Sequence, residues 1–252
     1  MNLIRDSLHI LQLVRDTGVD EILVAFSGGK DSLATIDLAA RVFPRVQPYF
    51  RYEVKGLAEN ERVFAAIERR FHCEMIQVPS PELASKVRFG AMLPREHDFS
   101  RNLRHVDIEA YVRQMTGLEW IASGQRMQES LARRGMINSA KRYPDSGTGI
   151  PETLGIDRRS KRLYPIASWG PQHVRDYMRV RHLPRPVQTG MNRDRTTGLT
   201  LNASNLKHLR ENNPEEYRKM IGRFPLAEVI VMRAEIVSNE DQGMADRAPE
   251  AE

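Results

Sequence analysis

Glu21-Ile22-Leu23-Val24-Ala25-Phe26-Ser27-Gly28-Gly29-Lys30-Asp31-Ser32 is the stretch from which the rest of the chain is read. Six residues, apolar after Glu21, are stopped by two glycines. That length and that stop predict a strand buried on both faces. Leu33, Ile36, Ala40 and Phe43 follow on one helical face, closed by Pro44. The unit is therefore strand, glycine turn, helix. Backbone N–H groups at such a helix start, with the helix dipole, attract anions. Gly28 and Gly29 let phosphate oxygens approach the main chain. Ser27 and Ser32 offer hydroxyls, Lys30 offers charge, and Asp31 either caps the helix or holds a magnesium ion.

The unit recurs downstream. Val46–Val54 reads as a strand and Glu59–Phe71 as a helix, with Val63, Ile67 and Phe71 aligned. Cys73–Val78 reads as a third strand, His105–Thr116 as a helix, Glu119–Ala122 as a fourth strand. Leu163–Ala167 is the candidate fifth, before a helix over Gln172–Arg181. Alternation of this kind predicts an α/β fold: a Rossmann-like, doubly wound, mainly parallel five-stranded sheet with helices on both faces. Its strand ends would then share one edge. The expected organisation is a nucleotide-binding domain over 1–184, a helical appendage over 185–237 and an acidic disordered tail over 238–252. Helices are expected near Ser204–Asn212 and Pro214–Ile221, whereas Val229–Val237 fits strand or helix. Residues 79–104 are mixed and basic (Lys86, Arg88, Arg95, Arg101, Arg104), and 135–161 reads as a long glycine- and proline-rich loop.

The spacing Gly-x-x-x-x-Gly-Lys-Ser/Thr is absent, and so is Gly-x-Gly-x-x-Gly. Ser-Gly-Gly-Lys-Asp-Ser directly after a strand instead resembles the signature of the PP-loop, or adenine nucleotide alpha-hydrolase, superfamily. A second constellation is Gly124-Gln125-Arg126-Met127-Gln128-Glu129-Ser130-Leu131-Ala132-Arg133. Gly-x-Arg-x-x-Glu-Ser-x-x-Arg resembles the motif after the fourth strand in the phosphoadenosine phosphosulfate (PAPS) reductase branch. If helical, Arg126, Glu129, Ser130 and Arg133 share one face. Arginine forks suit phosphate or sulfate oxygens, while a plain Glu129–Arg133 surface pair explains the same spacing without function. Leu163-Tyr164-Pro165-Ile166-Ala167-Ser168-Trp169 resembles a third segment of that branch. Trp169 reads as packing there, and His173 and Asp176 as surface positions.

The resemblance implies chemistry at an alpha-phosphate or binding of an adenylyl-sulfate. It implies Ser27, Gly28, Gly29, Lys30, Asp31, Ser32, Glu53, Gly124 and Arg126 as nucleotide contacts, with Lys30, Asp31, Arg126, Glu129 and Arg133 in catalysis. ATP and magnesium are the implied cofactors, Asp31 the magnesium ligand. Glu53 and Glu61 fall where strand two and its helix approach the nucleotide, but Tyr52-Glu53-Val54-Lys55-Gly56 stands where relatives often have Asp-Thr-Gly. Reductases of the branch attack sulfur with a C-terminal cysteine thiolate. Here the one cysteine is Cys73, read as a small buried hydrophobe. Relatives' cysteine positions hold Thr200 and Asn202, and neither an iron–sulfur cluster nor a cysteine-built zinc site is expected. Leu201–Leu209 and Asn213–Tyr217 resemble the helical appendage of PAPS-reductase-like proteins from phages and bacteria, with His208 facing solvent.

Charge and composition set the class. The net charge of +5 is uneven. Residues 238–252 carry Glu240, Asp241, Asp246, Glu250 and Glu252 against Arg247, so the body is more basic than the total. A basic body suits an anionic ligand. No apolar run of about 18 residues is present, so no membrane partner is expected. Met1–Arg15 is amphipathic rather than a signal peptide, and the single cysteine suits the cytoplasm. The leading reading is an ATP pyrophosphatase that adenylates a second substrate, with nucleic acid or a partner protein among the candidates and a homodimer open. The alternatives are a non-catalytic nucleotide-binding subunit of a nucleic-acid modification or regulatory system, and a sulfonucleotide reductase using an external thiol.

Overall fold

Glu21–Phe26 forms β1, the strand on which the sheet is built. The structure, a computed structural model, describes residues 2–83, 104–143, 145, 147–186 and 201–245, with 237–245 by backbone alone. The basic positions Lys86, Arg88, Arg95 and Arg101, the position Thr200 and residues 246–252 lie outside the described residues.

In chain order the elements are α1 (Leu3–Arg15), β1, α2 (Lys30–Ala40), β2 (Arg45–Tyr52), α3 (Ala58–Phe71), β3 (Ile76–Pro79), α4 (His105–Thr116), β4 (Ile121–Ser123), α5 (Leu131–Ala140), β5 (Ile156–Asp157), β6 (Arg162–Leu163), α6 (Pro171–Val180), α7 (Ala203–Asn212), α8 (Pro214–Arg223) and α9 (Ala227–Ala245). The sheet order is β3-β2-β1-β4-β6-β5. The pairs β1–β2, β2–β3, β1–β4 and β4–β6 are parallel, and β5 runs antiparallel on the edge. The chain winds outward from β1 through β2 to β3, then returns to β4 on the other side of β1. That reversal opens a crevice at the carboxyl ends of β1 and β4, where doubly wound folds bind ligands.

Both faces of β1 are covered, which explains its apolar sequence. Ile22, Val24 and Phe26 join the large core on one face, with α1, α2, α3 and α6. Leu23 joins Tyr49, Val78, Ile121 and the α4 residues Ile108 and Val112 on the other. Fully buried Ser7 of α1 donates to the Pro165 carbonyl at 2.6 Å and accepts from Trp169 Nε1 at 3.0 Å. Trp169 is thus a packing residue, as its sequence setting suggested.

The α/β, doubly wound expectation holds, with six strands in place of five. The sixth is β5, inside the expected loop 135–161. Ser130 accepts from Arg133 N and starts α5 despite Gly135, and buried Ile156 pairs with β6. The expected strand Leu163–Ala167 stops at Leu163, because Pro165 has no N–H for a ladder and Ala167 N turns back to the Tyr164 carbonyl. The expected strand from Cys73 begins at Ile76. His72 closes α3 in a left-handed conformation (φ 51°), and the chain uses 73–75 to leave the helix. Cys73 is half-buried against the core in this connection.

Val229–Val237 is helical within α9, which also carries the expected boundary at 238 inside a helix. Leu206, Leu209, Tyr217, Met220 and Val231 of the C-terminal helices bury into the same core as β1. No helix among the described residues is long and apolar enough to cross a membrane.

A buried carboxylate joins α2 to α6. Asp37 accepts from Tyr177 Oη at 2.6 Å and from Arg181 Nε at 2.9 Å. Burial, then the bond to Asp37, pushes the Tyr177 hydroxyl up to about 12 from 10.0. Tyr177→Phe removes one donor to a charged acceptor and is expected to lower unfolding free energy by about 1.5–3 kcal/mol in urea titrations. Because the folded-state pKa is raised, that contribution is constant below about pH 10 and is lost as pH rises toward about 12. The wild-type and Tyr177→Phe stability curves should converge over that interval.

Candidate functional site

The loop between β1 and α2 holds its shape through its own serines. Ser32 Oγ accepts from Ser27 N at 3.2 Å and donates to the Gly29 carbonyl at 2.9 Å, with Ser27 Oγ 3.2 Å away. Gly28 sits at φ 83°, a conformation that costs a side chain but not glycine. Gly29 is the N-cap of α2 and supplies no side-chain cap. The helix start therefore presents main-chain donors and the positive end of its dipole to an anion.

Lys30 is 7% exposed, with Nζ 3.5 Å from Asp31 Oδ2. Asp31 Oδ1 in turn lies 2.9 Å from Nε of Arg126, which is 5% exposed. That approach is ionic rather than a directed hydrogen bond, since neither atom has a well-angled partner among the described residues. Arg126 continues to Glu129: Nη2 is 3.5 Å from Oε1, and its backbone N donates to Oε2 at 3.2 Å. Glu129 then pairs with Arg133. Five charged groups of alternating sign thus run from the loop of residues 27–32 into α5, a net positive chain with a cation at each end.

The second constellation works through a turn rather than a helix face. Glu129 N returns to the Arg126 carbonyl, Ser130 is the N-cap, and α5 begins only at Leu131. The i,i+3 and i,i+4 spacings still bring Arg126, Glu129 and Arg133 together. Gly124 explains how β4 reaches the loop. A Cβ there would lie 2.7 Å from the Asp31 carbonyl carbon and 2.8 Å from Asp31 O and Ser32 N. The end of β4 presses on the first turn of α2, and only hydrogen fits between them.

The other candidates lie apart from this chain of charges. Glu53 follows β2 and is buried, with Oε2 accepting from Leu201 N at 2.7 Å. It ties down the C-terminal segment. Glu61 accepts from Gln77 Nε2 at 3.2 Å and joins α3 to β3. His173 is exposed and accepts from Gly170 N, capping α6.

Glu216, which the sequence did not single out, accepts from Ala58 N at 3.1 Å and so caps α3 from a distant helix. Its signal was faint: an acid two residues after the helix-starting Pro214. Gln125 Oε1, next in sequence to Gly124, is buried without a hydrogen-bond partner among the described residues, a detail that spacing does not reveal.

The glycine turn and the start of α2 offer main-chain donors of the kind that hold a phosphate group. Asp31 fits a magnesium ion less well, because Arg126 and Lys30 flank its carboxylate and compete with a metal. Among the described residues no group of three or more His, Cys, Asp or Glu side chains could hold a metal ion. Cys73 precedes β3, whereas the loop follows β1; the strands are parallel, so thiol and loop sit at opposite edges of the sheet. Burial, then Glu68, pushes that thiol up to about 11, which keeps it protonated at neutral pH.

A family model described as "Phosphoadenosine phosphosulfate reductase domain" matches residues 21–186. Among curated proteins no relative matches significantly. Two solved structures resemble the chain at low identity. A phosphoadenylyl-sulfate (PAPS) reductase from Candida auris, in a phosphate complex, is 13% identical, with 72% of this chain and 82% of that chain covered and a TM-score of 0.47. The U34-tRNA thiolase NcsA from Methanococcus maripaludis, with its 4Fe-4S cluster, is 15% identical, with 90% of this chain and 80% of that chain covered and a TM-score of 0.46.

Gly124→Ala is expected to push β4 off α2. Overpacking of this kind costs about 1–3 kcal/mol, read in urea, and the distorted loop should bind ATP at least about tenfold more weakly in calorimetry, a loss near 1.4 kcal/mol. Gly135→Ala is the control. Its Cβ meets open space within a helix, so affinity should hold and stability rise by up to about 1 kcal/mol.

Proposed function

The chain belongs to the phosphoadenosine phosphosulfate reductase domain family, and from that premise we propose that it is an ATP pyrophosphatase that adenylates a second substrate. The observation that carries this reading is the loop of residues 27–32, set at the crevice between β1 and β4 with buried Lys30 at its mouth. The main-chain donors at the start of α2 would take the terminal phosphates of ATP. An oxyanion of the second substrate would attack the alpha-phosphorus. The bond from that phosphorus to the bridging oxygen would break, and pyrophosphate would leave with the bond's electron pair.

Lys30 would neutralise charge that grows on the leaving group. A well-placed donor of this type contributes about 3–4 kcal/mol to the transition state. Arg126 would act mainly by position, since Asp31 and Glu129 already hold its guanidinium. Arg133, with its side chain 44% exposed, is the more available cation for a substrate anion. Asp31 would keep Lys30 and Arg126 from repelling each other.

Cys73 argues against reduction of a sulfonucleotide by this chain's own thiol, because it lies at the far edge of the sheet and stays protonated. Reduction with an external thiol is the competing reading within the family. A polyanionic second substrate is favoured by the exposed Arg133 and Arg134 in the first turn of α5, on the chain that leaves the crevice end of β4. Binding to nucleic acid through those side chains should weaken steeply with salt.

Labelled ATP and, separately, adenylyl-sulfates with a small thiol distinguish the readings. Pyrophosphate release from ATP is expected, and Lys30→Ala should reduce it by about a hundredfold or more. Release unchanged in a folded Lys30→Ala protein removes the loop from the mechanism. Sulfite from an adenylyl-sulfate, without pyrophosphate from ATP, replaces the proposal with the reductase reading.

A further inference from the structure

Helix α9 buries one face and leaves a second apolar face uncovered. Ala227 and Val231 are fully buried against the core, and the helix packs on α7 and α8. On the opposite side Val229 and Met232 are each 55% exposed and Ile236 is 58% exposed, with Leu226 extending the stripe. Isolated exposed aliphatics need no explanation, but a contiguous row marks a contact surface.

The spacing says which contact. Val229 and Ile236 are one heptad apart and Met232 lies between them, three residues after the first and four before the second. These are the a, d, a positions of a coiled-coil seam, with β-branched residues at both a positions, the choice that favours two parallel strands. The flanks agree. Glu228 precedes the first a position and Arg233 follows d, so they occupy g and e, five residues apart. In a parallel pair a g residue meets the e residue five positions later on the other helix. Glu228 and Arg233 carry opposite charge, both are exposed, and neither enters an ion pair among the described residues. In an antiparallel pair each would face its own like charge.

We propose that two copies of this chain associate through α9 as a short parallel coiled coil, with Val229, Met232 and Ile236 in the seam and Glu228 of each copy opposite Arg233 of the other. The stripe lies on the solvent side of the C-terminal helices, so the contact does not depend on the nucleotide chemistry. A seam of one heptad is weak, so the dimer forms reversibly with concentration.

Sedimentation equilibrium of the full chain over a wide concentration range tests this. The wild type should shift from monomer to dimer. Val229→Glu should raise the dissociation constant by about tenfold or more, with the melting temperature kept, because the side chain is on the surface. Glu228→Arg and Arg233→Glu should each weaken self-association, and an equimolar mixture of the two should restore dimers, since one variant then offers only positive and the other only negative flanks. A wild type that stays monomeric to its solubility limit leaves the stripe to a different partner and overturns the proposal. So does a dimer indifferent to Val229→Glu, or a mixture of the charge variants that does not reassociate.

Discussion

The ionic contact between Asp31 and Arg126 is the constraint on which the site depends. It joins the first turn of α2 to the chain leaving β4, across the point where the strand order reverses. Charge pairs withdrawn from water contribute little net stability, because desolvation offsets most of the attraction. Their value here is positional. Arg126 is nearly enclosed, so removing its partner would leave an uncompensated charge, and the two segments are held to one arrangement. The bare backbone of Gly124 makes that arrangement reachable, since any Cβ would meet the Asp31 carbonyl.

The alternating chain from Lys30 through Asp31, Arg126 and Glu129 to Arg133 also sets how anions would be received. Its inner cation is committed to protein carboxylates. Its two ends are not equally buried: Lys30 is enclosed at the loop, Arg133 is half in water. An anion at the buried end would meet a stronger field than one at the exposed end, because water screens the latter. In the proposed reaction that asymmetry would hold the polyphosphate firmly and the second substrate loosely.

The C-terminal helices are tied to the same edge by two carboxylates. Glu53 takes the Leu201 amide, and Glu216 takes the Ala58 amide at the start of α3. Each bond satisfies a main-chain donor, and each joins residues far apart in sequence. With the shared hydrophobic core, they fasten α7, α8 and α9 to the sheet and leave the outer stripe of α9 free to meet another surface.

The sequence alone determined the strand–turn–helix around Ser27–Ser32, the alternation that makes a parallel sheet, and the chemical kinship of the two constellations. Those features are local: apolar period, glycine stops and charge types within a few residues. His105–Thr116 was legible to the residue for the same reason. Tertiary structure decided what depends on distant partners. It made Arg126 an anchor for Asp31, turned Glu53 toward Leu201, placed Cys73 at the far edge, and shortened the strand after β5 at Pro165. A spacing rule cannot see which buried carboxylate lies within reach of a guanidinium, because that distance is fixed only when β4 returns beside β1.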